Sequence, residues 1–183
     1  MERRIALKNL ALILGGAALL PSCLGNNTKN SIKLNHFSVD PDLLNLVNLI
    51  TDTIIPKTKT LGAVDLNLKD FVFLMLDDCY PADDHRKFFK GAEQFNDAVE
   101  KQHGKAFDDC NRTERENFLI SIEQASEQQP EELQYFYRFV KENTVFGYRE
   151  SKYFLTEIKP YKLIPGPYTA YYAVRKLDHV EFN

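Results

Sequence analysis

The sequence predicts an all-α protein: a small bundle of about five helices followed by an irregular C-terminal strap rich in Tyr and Pro. Apolar residues recur at intervals of three and four over most of the chain, which is the period of an amphipathic helix. Capping residues precede these segments, and Gly or Pro separates them. The 183 residues, 44% of them apolar and 27% charged, have the composition of one folded domain.

The first predicted helix begins at Asp40 and Pro41, a capping residue followed by a residue suited to the first helical position. Pro56 ends this helix because proline lacks the backbone donor that the helix needs. Residues 57–65 form the following loop, with Gly62 as its turn point. The predicted buried face of the helix consists of Leu43, Leu44, Val47, Ile50 and Ile54.

The second predicted helix begins after a cap at Asn67 and ends near Asp78. Its run at residues 71–76 is apolar all round, which predicts a central place in the core. The third helix is expected from about Pro81 to His103. Its buried stripe is Phe88, Ala92, Phe95 and Val99, and Gly104 ends it.

The fourth helix begins at a capping box formed by Asn111 and Glu114. A fifth begins at Pro130 and extends to about Phe146, where Gly147 is expected to interrupt it. The core residues predicted for these two helices are Phe118, Leu119, Ile122, Leu133, Phe136, Tyr137 and either Phe139 or Val140.

From Lys159 onward the chain is predicted to be an extended strap packed on the helices. Its tyrosines could form a stacking surface for a sugar or a partner, or they could simply pack the strap onto the bundle. Both interpretations remain open from the sequence. The tyrosines concerned are Tyr161, Tyr168, Tyr171 and Tyr172.

The N-terminal residues 1–22 have the order of a signal peptide: a positive region with Arg3, Arg4 and Lys8, then an apolar stretch of about a dozen residues. The segment Leu20-Pro21-Ser22-Cys23 resembles a lipobox, in which the cysteine is acylated and the preceding peptide removed. Residues 23–38 then provide a lipidated Cys23 and a polar tether to a single helical domain at 39–183. The alternative is a buried N-terminal helix that ends at Pro21.

Residues 3–8 also resemble the twin-arginine export signal, with Arg3 and Arg4 as its paired arginines. The alternative is two ordinary arginines of the positive region. The twin-arginine route carries folded proteins, which suits a complex whose cofactor is inserted before export. The expected location is therefore the bacterial cell envelope, on the periplasmic side and anchored by lipid.

Cys79 and Cys110 remain after Cys23 is assigned to lipid. In an oxidising compartment they could form a disulfide, and two separate packed thiols are an equally good interpretation.

Motifs for chemistry are scarce. The sequence has no Gly-x-Gly-x-x-Gly, Walker or Gly-x-Ser-x-Gly pattern, and its net charge of −3 is a poor match for nucleic acid. Glu100 and His103 form one Glu-x-x-His, explained better by chance and by a cation at a helix end than by a di-iron site. The acidic residues at 77–78 and 83–84 predict a solvated loop rather than a cation site.

Four segments occur in the order found in one known family. They are residues 54–63 (Ile-Ile-Pro-x-Thr-x-Thr-x-Gly-Ala), Phe107 to Arg115 with Cys110-Asn111 and Glu114, the Phe146-Gly147-Tyr148-x-x-Ser151 element, and residues 165–168 (Pro-Gly-Pro-Tyr). The chain thereby resembles the gluconate 2-dehydrogenase subunit 3 family over about residues 40–172.

The resemblance implies a small accessory subunit of a membrane-associated dehydrogenase, without catalytic or cofactor residues of its own. The expected partner is a glucose-methanol-choline type large subunit that carries FAD and oxidises a sugar or sugar acid, and a cytochrome c subunit often accepts the electrons. The small subunit would escort the large one through export. Candidate contacts are Pro56, Thr58, Thr60, Gly62, Tyr148 and Tyr168. The rival hypotheses are a stand-alone lipoprotein that binds a carbohydrate or other small ligand and, third, a small metal enzyme.

Overall fold

The computed structural model describes residues 33–124, 129–159, 164 and 166. These residues form five α-helices and a short π-helix, and no strand is present among them. The predicted all-α class is confirmed. The helices are α1 (Pro41–Ile54), α2 (Leu68–Cys79), α3 (Ala82–His103), α4 (Arg112–Gln124) and α5 (Glu131–Glu150), followed by the π-helix Phe154–Ile158. None of the described helices is both long and apolar enough to cross a membrane.

Helix α1 begins as predicted. The Asp40 carboxylate accepts a hydrogen bond from Leu43 N at 2.7 Å, and Pro41 occupies the first turn. Leu44 and Ile54 are only half-buried, while Leu46, which was not predicted, is buried. Helix α4 also begins as predicted: Glu114 N donates to Asn111 Oδ1 and Asn111 N donates to Glu114 Oε2, which completes the capping box.

Helix α2 differs from the prediction in two respects. Asn67 precedes it in a left-handed conformation (φ 51°), and its side chain makes no capping hydrogen bond. The apolar run of this helix is also not central throughout, because Val72, Phe73 and Leu76 are buried whereas Leu74 is 38% exposed. Helices α1 and α5 are the main neighbours of α2, so the side chain of Leu74 faces away from both of them.

The core is built around α3 and α5, which contact each other more extensively than any other pair of described elements. Phe136 of α5 lies between two α3 phenylalanines, with ring centroids 4.9 Å from Phe88 and 5.6 Å from Phe95, in edge-to-face geometry. Phe118 of α4 joins this cluster 5.2 Å from Phe95. The stripe predicted for α3 is therefore the centre of the bundle.

A glycine permits this close approach. A Cβ atom at Gly91 would lie 2.1 Å from the Glu132 carbonyl oxygen and 2.6 Å from Phe136 Cβ. At the same crossing, α3 supplies a capping hydrogen bond to the start of α5, because Pro130 provides no side-chain cap there. Gln94 of α3 accepts a hydrogen bond from Leu133 N at 3.0 Å, so a neighbouring helix satisfies a donor that the sequence of α5 leaves open.

Helix α5 continues through Gly147 to Glu150, so the predicted interruption is wrong. Gly147 is buried, and a Cβ there would lie 2.6 Å from the Phe71 ring. The glycine therefore serves packing between α2 and α5 and does not break the helix. The π-helix that follows was not predicted. The strap beyond Lys159, including Tyr161, Tyr168, Tyr171 and Tyr172, lies outside the described residues except for Ile164 and Gly166.

Replacement of Gly91 by Ala is expected to destabilise the protein by about 2 kcal/mol or more, because the added methyl group has no space against the α5 backbone. Urea unfolding followed by circular dichroism measures this change. The exposed neighbour Glu93 provides the control, since Glu93→Ala should alter stability by no more than about 0.5 kcal/mol. Equal stability of Gly91→Ala and the wild type would contradict the proposed close contact.

Candidate functional site

Four of the predicted partner contacts lie together in the loop between α1 and α2: Pro56, Thr58, Thr60 and Gly62. Tyr148 lies in the last turn of α5, where its ring packs edge-on against Phe154 at 5.6 Å. Tyr168, Cys23, Arg3 and Arg4 lie outside the described residues.

The loop has a defined shape because its two ends are hydrogen-bonded to each other. Ala63 N donates to the Ile55 carbonyl at 2.8 Å, and Thr58 N donates to the Thr60 carbonyl at 3.1 Å. The two sides of the loop approach each other so closely that a Cβ at Gly62 would lie 2.5 Å from Lys57 N. Only glycine fits there, which gives a physical reason for the glycine in this segment.

Asp65 fastens the base of the loop. Its carboxylate accepts hydrogen bonds from Lys57 Nζ at 2.8 Å and from Gly62 N at 2.9 Å. These two donors, Lys57 first, hold the pKa of Asp65 below its ordinary value because they stabilise the ionised carboxylate. The sequence analysis did not identify Asp65 as a residue that shapes the loop. The available signal was its position three residues after Gly62, a spacing at which an aspartate side chain can accept a hydrogen bond from the backbone.

The loop presents its tip to solvent while its far side is fixed to the C-terminal end of the bundle. Thr58 and Lys59 are exposed, and Val64 is 45% exposed. Leu61 N donates a hydrogen bond to the hydroxyl oxygen of Tyr153, just after α5, at 3.3 Å. The loop and the end of α5 therefore belong to one surface.

An exposed apolar patch, here called the Phe146 patch, adjoins this end of the bundle. It consists of Phe71 on α2 and of Val145 and Phe146 on α5. Phe146 is 50% exposed and its ring lies 6.0 Å from that of Phe71. Sequence analysis placed Phe146 in a family segment but missed the patch. Helical spacing gives no signal for it, because Phe146 lies two turns after Phe139, which is buried.

A groove of about 520 Å³ follows α5 on the side of Val145 and Phe146. Glu123 of α4 closes one side of it, accepting hydrogen bonds from Tyr137 Oη at 2.5 Å and Lys141 Nζ at 2.6 Å. These donors, Lys141 first, lower the pKa of Glu123. The groove is lined by Glu123, Gln134, Tyr137, Arg138, Lys141, Glu142, Val145, Phe146 and Arg149.

The two described cysteines are free thiols in the structure, and only one of them is packed in the interior. Cys79 is exposed at the end of α2. Cys110 is buried, and its Sγ donates to the Ala106 carbonyl at 3.4 Å. Burial raises the pKa of the Cys110 thiol, which makes it the less reactive of the two.

Within the described ranges no group of three or more His, Cys, Asp or Glu side chains is arranged to hold a metal ion. The prediction of a solvated loop containing residues 77–78 and 83–84 is wrong, because the first pair lies in the last turn of α2 and the second in the first turn of α3. Asp77 is also not solvated, since it is only 2% exposed. Asp77 is buried because backbone donors from Asn35 and His36 satisfy its carboxylate. The Nε2 atom of His103, in the last turn of α3, is likewise buried and has no hydrogen-bond partner among the described residues.

Comparison with known families identifies the chain. Residues 41–166 match the family described as gluconate 2-dehydrogenase subunit 3. The chain belongs to this family. The match begins at the first residue of α1 and includes all five helices, so the loop, the Phe146 patch and the groove all lie within the part that the gluconate 2-dehydrogenase subunit 3 family shares. No curated protein and no solved structure matches the chain.

The loop should weaken in acid. Because the pKa of Asp65 is lowered in the folded protein, its stabilising effect is complete above the ordinary aspartate pKa of about 3.9 and is lost as pH falls through the lowered value. NMR titration of the Asp65 carboxyl and the Gly62 amide measures this directly. Lys57→Met should raise the Asp65 pKa toward its ordinary value.

Lys59 provides the matched control, since it lies in the same loop and forms no ion pair with any described residue. Lys59→Met should leave the titration of Asp65 unchanged. An Asp65 midpoint that does not respond to Lys57→Met would show that the Lys57 ion pair does not hold the loop.

Proposed function

We propose that this chain is the non-catalytic small subunit of a periplasmic, membrane-associated flavoprotein dehydrogenase that oxidises sugars or sugar acids. In this proposal it escorts an FAD-bearing large subunit of the glucose-methanol-choline type through export and then anchors that subunit at the membrane. The observation that carries the proposal is the family match over residues 41–166. A cytochrome c subunit is the expected electron acceptor of such a complex.

A subunit needs a surface for its partner, and the loop with the Phe146 patch has the composition of one. Half-exposed aromatic and aliphatic side chains surrounded by fixed polar groups are typical of the centre of a protein interface. In this proposal the Phe146 ring supplies the apolar anchor, while the exposed Thr58 hydroxyl and Lys59 ammonium of the loop supply polar contacts. Because Asp65 and Gly62 preorganise the loop, little conformational entropy would be lost on docking.

The escort role is supported by the leader. Arg3 and Arg4 resemble a signal for folded cargo, and a large subunit that must bind FAD before export could travel with this chain without a signal of its own. Cys23 would carry the lipid, and one set of acyl chains would hold the complex at the membrane surface.

A native pull-down of tagged protein from detergent-solubilised envelopes tests the escort role. A flavoprotein should co-purify in a near-equal amount, detected by flavin absorbance and mass spectrometry. The double replacement of Arg3 and Arg4 by Lys should remove both proteins from the envelope, because it keeps the charge but destroys the paired-arginine signal. Lys8→Arg is the control and should leave export intact. A colourless monomer with no partner would refute the proposal.

Phe146→Asp should reduce recovery of the flavoprotein by about tenfold or more, since a charge would replace an apolar anchor at the centre of the interface. The fold should survive because the side chain is already half-exposed. Ile120→Asp is the matched control: Ile120 is also 50% exposed, but it lies on α4 and outside the groove lining. Equal loss of the partner in both variants would contradict docking at the Phe146 patch.

The second candidate is a stand-alone envelope lipoprotein that binds a carbohydrate or another small ligand. The groove beside α5 favours it, because about 520 Å³ is a volume typical of small-ligand sites and Tyr137 and Arg138 provide polar groups at its wall. Recovery of a partner-free monomer whose α5 amide resonances shift on addition of mono- or oligosaccharides would support this alternative.

A further inference from the structure

We propose that Asp77 is a docking site for the chain's own N-terminal segment Asn35–Phe37, and that this docking fixes the end of the bundle from which the membrane tether leaves. The docking site itself stands on contacts within the structure. Its consequence for membrane orientation rests on the proposed function, in which Cys23 carries the lipid.

The Asp77 side chain is fully buried near the end of α2, and backbone donors surround it. Asn35 N donates to Asp77 Oδ2 at 2.6 Å, and His36 N donates to Asp77 Oδ1 at 2.9 Å. The His36 ring adds Nδ1, which lies 3.0 Å from the Asp77 carbonyl oxygen. A buried carboxylate is costly unless it is satisfied, so the segment and Asp77 depend on each other.

Phe37 extends the contact from α2 to α3. Its ring packs edge-on against His85 at 4.9 Å and against Phe89 at 5.2 Å. His85 is held in turn by a hydrogen bond from its Nε2 to the Leu76 carbonyl at 2.8 Å. The segment at residues 35–37 therefore combines charge-assisted hydrogen bonds with an aromatic contact, although the sequence predicted it as part of a polar tether.

The docking site and the candidate partner surface lie at opposite ends of α2. Asp77 is near the C-terminal end of this 12-residue helix, and the loop precedes its first residue, Leu68. Helix α5 runs antiparallel to α2, because Phe71 contacts Phe146 while Tyr80, just beyond α2, contacts Phe139 at 4.9 Å. At 1.5 Å per residue, Asp77 lies about 14 Å along the helix from Leu68.

The tether between Cys23 and the docked segment consists of residues 24–34. A chain of that length cannot reach farther than about 40 Å, whatever its conformation. With Cys23 in the membrane, the corner between α2 and α3 would face the lipid. The loop and the Phe146 patch would be held farther away, on the aqueous side where a large subunit can approach.

Amide hydrogen exchange of the full-length chain in detergent tests the docking site. The Asn35 and His36 amides should be protected in the wild type and in Asp78→Asn, the matched control at an exposed neighbouring carboxylate. Asp77→Asn should abolish this protection because its side-chain NH₂ group replaces an acceptor. Asn35→Pro removes one donor without touching the core and covers the case in which Asp77→Asn fails to fold. Unchanged protection of His36 in both variants would overturn the proposal.

Fluorescence quenching by lipid-borne quenchers tests the orientation in phosphatidylcholine vesicles that carry the lipidated chain. One label is placed on the exposed Cys79, next to the docking site, and another on Thr58→Cys in a Cys79→Ser background. Quenching should be stronger at position 79 than at position 58, and Asp77→Asn should remove the difference while Asp78→Asn retains it. Equal quenching at positions 79 and 58 in the labelled proteins that retain Asp77 would overturn the proposed orientation.

The docking site and the proposed function can be refuted independently. A quenching difference that depends on Asp77, in a protein that recovers no flavoprotein, would support the docking site and refute the proposed flavoprotein partner. Recovery of the flavoprotein by a protein whose Asn35 and His36 amides are unprotected would support the partner and refute the docking site. A chain that does not bind vesicles would refute the anchor and the orientation together, while hydrogen exchange alone would still decide the docking site.

Discussion

The close crossing of α3 and α5 is the contact on which the rest of the structure depends. Gly91 allows the Glu132 carbonyl to approach, and this approach inserts Phe136 between Phe88 and Phe95. Each fully buried phenylalanine contributes about 1.5–3 kcal/mol, and edge-to-face pairs add to that. The remaining helices pack around this centre, so their exposed faces follow from it.

One such consequence is the Phe146 patch. The buried side of α5 is already filled by Phe136, Val140 and Gly147, and the missing side chain of Gly147 leaves room for Phe71. Phe146 is adjacent in sequence but points outward, where no described element covers it. The same packing that completes the core thus leaves an apolar surface at the end of the bundle that also carries the loop.

Three carboxylates give shape to the segments outside the helical core. Asp65 holds the loop, Asp77 holds the N-terminal segment and Glu123 joins the end of α4 to α5. For Asp65 and Glu123 the main effect is positional, because ion pairs near a protein surface contribute little net stability. The N-terminal segment and the loop, held by Asp77 and Asp65, lie at opposite ends of α2, which gives the small domain two distinct ends.

The sequence by itself determined the local features: the all-α class, the Asp40 cap, the capping box of Asn111 and the segment that identifies the family. These depend on interactions within a few residues, which a sequence displays directly. Tertiary structure alone decided that Gly147 continues a helix, that Asp77 is buried and that Phe146 is exposed. Each of these outcomes depends on a side chain or backbone donor distant in sequence, and neither helical period nor capping preference contains that information.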